Sequence, residues 1–447
     1  MIFDPEAECQ DPGARRTVQS ARLRALVARV NERVPFYAER LRAARVRPGD
    51  IRGVEDLPKL PITRKADLRD TYPLGLLAVP RQECTRIHAS SGTTGKPTVV
   101  AYTQADVELF ATVVARALAM AGAEPGMILH NAYGYGLFTG GLGLHYGGER
   151  LGMTVIPVSG GMTERQVLLI QDLKPDVLCC TPSYALTLAS ELARRGLRPE
   201  DLSLRFALHG AEPWTEGMRV QIDRGLGVRC TNIYGLSEVI GPGVSNECVE
   251  ARDGSHVMED HFYPEILDPV TLAPLPDGEE GVLVLTTLTK EAMPLLRYWT
   301  GDITSLERGP CACGRTLVRM ARIKGRTDDM LIIRGVNVYP SQVEGVLARI
   351  EELSPHYRLV ITREQELDAL EVQPELDAAF AREIVRETLS DEIVEADAQL
   401  RALRHRVAHL LHDTIGVSMK VTLLPPGGAP RSEGGKLNRI VDQRPRP

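Results

Sequence analysis

A chain of 447 residues with 43% hydrophobic and 25% charged residues is long enough for a large core and for two or three domains. A formal charge of −6 with no basic block excludes nucleic acid as the main partner, and no apolar run reaches the ~20 residues of a membrane span. The first residues, Met1-Ile2-Phe3-Asp4-Pro5-Glu6, lack the basic start and apolar stretch of a signal peptide, and eight cysteines in so long a chain read as thiols or metal ligands; the expected location is cytoplasmic.

Residues 16–45 are helical in pattern, and Leu57-Pro58-Lys59-Leu60-Pro61 makes an extended, proline-punctuated entry to a glycine-rich run at 88–98. From 104 to 235 the pattern alternates. Helical stretches at 106–121, 164–173 and 184–194 are interleaved with strand-like runs at 127–129, 154–158, 176–180, 205–208 and 228–233. Strands alternating with helices give an α/β fold with a largely parallel sheet, whose binding loops lie at the carboxyl ends of strands. Residues 262–325 change to a smaller β unit with strands at 281–288 and around Arg297-Tyr298-Trp299. A boundary is expected in the polar run 325–329, dividing the chain into a large domain (1–327) and a small α+β domain (328–447). In the small domain the expected order is a strand, a helix over 341–350, a strand over 356–362, two helices and a last strand. The chain shows no internal repeat.

The run His88-Ala89-Ser90-Ser91-Gly92-Thr93-Thr94-Gly95-Lys96-Pro97-Thr98 crowds hydroxyls, glycines and a lysine into one loop. Glycines bring backbone N–H groups close to an anion, and hydroxyls and a lysine add donors and charge, so the composition suits polyphosphate. It is not the P-loop of NTPases, which needs four residues between its glycines where this run has two. A flexible Ser/Thr/Gly turn has the same composition, and the loop alone does not choose between them.

Further along come Tyr234-Gly235-Leu236-Ser237-Glu238, Thr300-Gly301-Asp302 and Gly325-Arg326-Thr327-Asp328-Asp329. With the 90–97 loop they stand in the order of the adenylate-forming superfamily, which the chain resembles from about residue 20 to its end. More narrowly it resembles the phenylacetate–CoA ligase family, in residues 131–141, in Gly210-Ala211-Glu212-Pro213-Trp214-Thr215 and in 331–340. The resemblance implies a large domain with a β subdomain, a mobile small domain, and ligation of an aryl acid to coenzyme A through an acyl-adenylate, with ATP and Mg2+. Phenylacetate leads as the acid.

Carboxylate attack on an α-phosphate brings two anions together, so positive charge and a metal are needed. Glu238 offers hard oxygen ligands for Mg2+, and Asp302 two acceptor oxygens for the ribose hydroxyls. The resemblance further implies that Ser90, Ser91, Gly92, Thr93, Thr94, Gly95 and Lys96 hold the β- and γ-phosphates and that Arg326 contacts the ribose. It places Gly210, Ala211, Glu212, Pro213, Asn232, Ile233, Tyr234, Gly235 and Ser237 around the nucleotide, Tyr234 stacking on the base. Lys436, in a Gly-Gly setting near the chain's end, matches the catalytic lysine, Asp328 the hinge, and Arg334 with Gly335 the side from which CoA enters. Tyr133, Phe138, Gly210 and Ile240 match the acyl pocket, where apolar and aromatic walls suit a flat aryl group.

Cys311-Ala312-Cys313 forms a tight knuckle between Gly309-Pro310 and Gly314, and Cys248 precedes His256 by eight residues. Three thiolates and an imidazole make a closed structural zinc set, and unliganded thiols are the alternative. Small-molecule partners are expected, neither nucleic acid nor membrane, with the oligomeric state left open, a homodimer among the options. Two rival functions stay open: delivery of the acyl group to a carrier protein or amine, and nucleotide binding without turnover.

Overall fold

The structure, a computed structural model, describes residues 1–90, 97–327, 331–333, 336–364, 367–384, 389–431 and 439–444. Its N-terminal helix Pro12–Arg33 is capped by the Asp11 carboxylate, which accepts from Gly13 N and Ala14 N, and buries Leu23, Leu26, Val27 and Val30 at helical spacing. The helical pattern over 16–45 is built as two helices, Pro12–Arg33 and Pro35–Ala43. Pro35 lacks an N–H and drives Val34 to φ −118°, ψ 100°, so the chain turns there.

β1 (Arg86–Ser90) and β2 (Thr98–Tyr102) pair antiparallel, with Ser90 opposite Thr98. Helix Gln104–Met120 follows, opened by a reciprocal cap between Thr103 and Asp106. Then come β3 (Ile128–Asn131), β4 (Thr154–Ile156), β5 (Val177–Cys180), β6 (Phe206–His209) and β7 (Arg229–Leu236), with helices between them. They form the parallel part of a nine-stranded sheet, in the order β4-β3-β5-β6-β7. The chain steps from β3 outward to β4 and then back across to β5, so the sheet has a switch point at the carboxyl ends of β3 and β5, where open α/β sheets bind ligands. The sheet continues antiparallel through β8 (Gly241–Glu247) and β9 (Ser255–Val257).

β10 (Phe262–Leu267), β11 (Gly281–Thr287) and β12 (Tyr298–Thr304) form the smaller antiparallel sheet; β13 (Leu306–Glu307) and β14 (Arg319–Met320) join the large sheet's far edge. β15 (Gly325–Arg326) closes the smaller sheet against β12, so the polar run read as a boundary begins as an edge strand.

Beyond it, β16 (Leu331–Ile333) pairs with β17 (Val336–Val338), and helix Pro340–Leu347 leads to β18 (Leu353–Glu364). β19 (Leu367–Leu376) follows, then helices Ala378–Ile384, Asp391–Ala396 and Ala398–Ile415, β20 (Lys420–Val421) and β21 (Ile440–Asp442). The last sheet runs β20-β19-β18-β21. Its core, with Val343, Leu359, Val372 and Val407, is separate from the main core that runs from Leu23 to Met320.

Candidate active site

Most of the residues singled out in the sequence lie at carboxyl ends of strands or in the turns that follow. Gly210 follows β6, and its N–H donates to the Tyr133 hydroxyl at 2.9 Å. Tyr133, which follows β3, is buried, and burial pushes its phenol well above the ordinary value. A Cβ on Gly210 would lie 2.1 Å from the Ile233 carbonyl oxygen of β7, so only glycine fits there. Ala211 takes a left-handed φ of +71°, a conformation that costs a residue with a Cβ about 1 kcal/mol and that collects at functional sites. The Glu212 carboxylate accepts from Ser183 N at 2.8 Å, which ties this turn to the helix after β5. Pro213 is exposed beside it. Trp214, absent from the sequence reading of the site, donates its indole N–H to Asn232 Oδ1 at 3.0 Å, while Asn232 N donates to Glu247 Oε2 at 2.8 Å. Asn232 is thus held from both its side chain and its backbone.

The tightest group joins three strands. The Tyr234 hydroxyl of β7 donates to Asp302 Oδ2 at 2.6 Å, and Arg326 Nη1 to Asp302 Oδ1 at 2.6 Å. Arg326 Nη2 also donates to Thr300 O at 3.0 Å. Register explains the ion pair, because β12 and β15 place Asp302 directly opposite Arg326. Burial first, then the Asp302 charge, push the Tyr234 phenol well up, so it stays a donor.

Glu238 sits on the turn from β7 to β8, only 6% exposed, with Lys65 Nζ 3.6 Å from its Oε1. Gly235 makes that turn possible, since a Cβ there would lie 1.9 Å from Gly241 O. Ser237 Oγ meets Thr139 Oγ1 at 3.2 Å. Lys65 is a further residue that the sequence reading missed; a lone lysine on a six-residue helix carries no local signal.

Ser90 ends β1, and its hydroxyl oxygen is buried with no hydrogen-bond partner among the described residues. Ser91, Gly92, Thr93, Thr94, Gly95 and Lys96 lie outside the described residues, as do Asp328, Arg334, Gly335 and Lys436.

The four acyl-pocket residues divide. Tyr133 and Gly210 meet, whereas Phe138 is 52% exposed on the loop after β3 and Ile240 is 0% exposed inside the main core. Beyond a strand end the inward–outward alternation no longer aims a side chain, which is why position alone did not orient Phe138. The loop is pinned at Leu137, whose carbonyl accepts from Ala89 N at 3.0 Å and lies 3.0 Å from His88 Nδ1.

Some distance along the same sheet, Cys248, His256, Cys311 and Cys313 converge, their donor atoms all within 4.8 Å of one another. Cys248 Sγ is 3.6 Å from Cys311 Sγ, and Cys313 Sγ is 3.4 Å from His256 Nε2. Tetrahedral zinc with ~2.3 Å bonds to sulfur spaces its ligand atoms about 3.6–3.8 Å apart. Hydrogen bonding from Cys248, then from His256 and Arg315, draws the Cys313 thiol down against the effect of burial. Cys9, Cys84, Cys179, Cys180 and Cys230 stand outside the cluster.

Comparison with known proteins adds to this geometry. Residues 78–289 match the family model of the AMP-binding enzymes, and 335–444 that of the AMP-binding enzyme C-terminal domain. The chain is 66% identical over 444 residues to a phenylacetate-coenzyme A ligase of Thermus thermophilus, covering 99% of this chain and 100% of the relative. A phenylacetate-coenzyme A ligase of Escherichia coli K12 is 51% identical, with 96% of this chain and 95% of the relative covered. Among solved structures, 2-hydroxyisobutyryl-CoA ligase in the postadenylation state, in complex with R3-HIB-AMP, is similar at a TM-score of 0.88 with 28% identity over 98% of this chain and 92% of that one. The same ligase in its thioesterification state, with CoA, gives 0.72 over the same coverage.

Proposed function

The chain belongs to the phenylacetate–CoA ligase family of adenylate-forming enzymes and is an AMP-forming acid–CoA ligase; on that premise we propose phenylacetate as its acid and the residues gathered above as its machinery. The observation that carries the substrate is the 66% identity, over nearly all of both chains, to a ligase bearing that name. In the first step an acid oxygen bonds to the α-phosphorus of ATP while the bond to the β-phosphate breaks, releasing pyrophosphate. In the second, the CoA sulfur bonds to the acyl carbon, its proton is lost, and AMP leaves.

Asp302 receives the ribose hydroxyls, with Arg326 beside it and Tyr234 against the base; the short Tyr234–Asp302–Arg326 chain supports this by fixing the carboxylate before the nucleotide arrives. The turn from Gly210 to Pro213 and residues Asn232, Ile233, Gly235 and Ser237 line the nucleotide, Ala211 with its left-handed backbone and Asn232 held by Trp214. Residues 90–96 take the β- and γ-phosphates, supported by the buried Ser90 hydroxyl, which has no partner among the described residues. Glu238, a buried carboxylate beside the cation of Lys65, fits Mg2+, which when bound neutralises phosphate charge. Tyr133, Gly210, Phe138 and Ile240 are assigned to the aryl pocket, Tyr133 and Gly210 as its floor and Phe138 as a side chain on its rim; Ile240, inside the core, backs the wall. Lys436 stabilises charge in adenylation, Asp328 is the hinge between domains 1–327 and 328–447, and Arg334 with Gly335 faces CoA.

Cys248, His256, Cys311 and Cys313 hold a structural zinc ion. The convergence of their donor atoms within 4.8 Å supports this, and with all four positions filled by protein it has no open site for chemistry.

The deciding experiment is a panel of aryl and alkyl acids scored by pyrophosphate release and thioester formation, with and without CoA. Phenylacetate should give the highest kcat/KM and thioester only with CoA. A better aliphatic acid, or adenylation with no transfer to CoA, overturns the reading.

A further inference from the structure

Glu238 owes its position to the backbone of the turn that carries it, and three carbonyls of that turn are taken by side chains from elsewhere in the chain. Lys290 Nζ donates to Glu238 O at 3.0 Å. The Tyr102 hydroxyl donates to Ile240 O at 3.0 Å and lies 3.4 Å from Ser237 O. Lys290 Nζ also sits 5.0 Å from the centroid of the Tyr102 ring, so the two residues form one unit behind the turn.

Both are firmly placed. Tyr102 ends β2, the strand returning from the phosphate loop, with the His88 ring of β1 edge-on at 5.4 Å. Lys290 is flanked by backbone held in Asp106: Glu291 N donates to Oδ1 at 2.6 Å and Ala292 N to Oδ2 at 2.8 Å. Thr103 Oγ1 adds a bond to Glu291 Oε2 at 3.0 Å.

Lys290 is 1% exposed, and the Glu238 carbonyl is its one hydrogen-bond acceptor among the described residues. Burial disfavours the ammonium, the Asp106 and Glu238 carboxylates offset part of that cost, and a methionine of similar length would fill the space without holding the Glu238 carbonyl. Packing therefore does not account for the charge, whereas preorganising a metal-binding carboxylate does.

We propose that Lys290 is a positioning residue which, together with Tyr102, fixes the backbone of residues 237–240 so that the Glu238 carboxylate stands ready for the magnesium–nucleotide complex. The proposal rests on the assignment of Glu238 to Mg2+. Because Tyr102 lies on the strand leaving the phosphate loop, the same unit ties the two halves of the polyphosphate site together.

The test uses Lys290→Met and Tyr102→Phe in the full-length protein. Hydrogen exchange of the peptide covering 235–241, without ligands, should accelerate about tenfold or more in each variant, as loss of a hydrogen bond to a fixed carbonyl predicts. The KM for MgATP should rise about tenfold while the KM for the acid stays within about twofold. The double variant should be little worse than the worse single one, because the two side chains act as a unit. Unchanged exchange at 235–241 overturns the proposal. So does faster exchange throughout β2 and β11 with equal rises in both KM values, the signature of a general packing role. If Lys290→Met does not fold, Tyr102→Phe, which keeps the ring, carries the same test. Glu238→Gln separates the premise: an unchanged MgATP KM there removes the magnesium assignment and leaves the exchange result standing.

Discussion

At the scale of single residues, the site's electrostatics turn on Asp302. Each of its oxygens receives a short hydrogen bond, from Tyr234 and from Arg326, both at 2.6 Å. Asp302→Asn replaces one acceptor oxygen by a donor and leaves the Arg326 guanidinium facing a neutral amide. At ~1.5–3 kcal/mol for a hydrogen bond to a charged group, kcat/KM for ATP should fall about 10- to 100-fold, measured by pyrophosphate release, with the acid KM little changed. A second residue-scale prediction concerns His209, fully buried, its Nδ1 2.9 Å from Cys180 O and its ring edge-on to Trp214. Burial pushes its pKa from 6.5 down to about 4. Between those values the unfolded chain binds a proton that the folded protein refuses. Its contribution is therefore full above pH 6.5 and is lost as pH falls towards 4. His261 and His356, also held down to about 4, act in the same direction. Replacing one of the three, His209→Phe should lose less melting temperature between pH 7.5 and pH 5 than the parent does. Buried glutamates whose pKa is raised, such as Glu247 and Glu265, oppose the trend in both proteins and cancel in the difference.

At the scale of elements, the Cys311–Cys313 turn connects the Cys/His cluster to the N-terminal segment. Gly314, at φ +84°, donates its N–H to Cys311 O at 2.9 Å, closing the knuckle. The next residues hold the chain start: Arg315 Nε donates to Glu8 Oε2 at 2.6 Å with both side chains buried, and Arg15 Nη1 donates to Thr316 O at 2.8 Å. Freshly purified protein should contain about one zinc per chain by metal analysis. Chelation or Cys311→Ser should lower the melting temperature by about 5 °C or more and speed proteolysis ahead of residue 16. Protein that contains no zinc ends the assignment. Elements also show where sequence reading stopped. Most of the alternating strands and helices of 104–235 were legible because apolar periodicity was strong on them; helix Gly140–Leu151 was not, since its glycines read as loop. The ten-residue strand β19 was not, since Leu367-Asp368-Ala369-Leu370-Glu371 is rich in helix formers and Pro374 argues against a strand. β19 exists because it pairs with β18 on one side and β20 on the other, and pairing overrides propensity.

At the scale of the whole molecule, the two domains meet where Gly217 lies against Ala348; a Cβ on Gly217 would stand 2.7 Å from the Ala348 Cβ. The higher similarity to a relative in its postadenylation state than to the same relative in its thioesterification state, 0.88 against 0.72, places this arrangement nearer the former. Gly217→Leu should therefore disfavour it, slowing pyrophosphate release while sparing thioester formation from supplied acyl-adenylate. Lys436→Ala should separate the steps in the same direction through charge: adenylation abolished, thioester formation from supplied adenylate retained. Equal loss of both steps in Lys436→Ala removes the two-arrangement assignment of that lysine.

The sequence by itself determined the family, the α/β class and the order of the motifs, because each is written in local spacing. Only the tertiary structure decided which distant residues meet. Asp302 faces Tyr234 and Arg326 through strand pairing, and three cysteines and a histidine from 248 to 313 bring their donor atoms within 4.8 Å of one another because β9 and β14 align. It also set Ile240 fully buried in the main core and brought Lys290 beneath Glu238. Neither could be read locally, since a side chain's direction is fixed by register and packing across the chain, and one residue of slip reverses it.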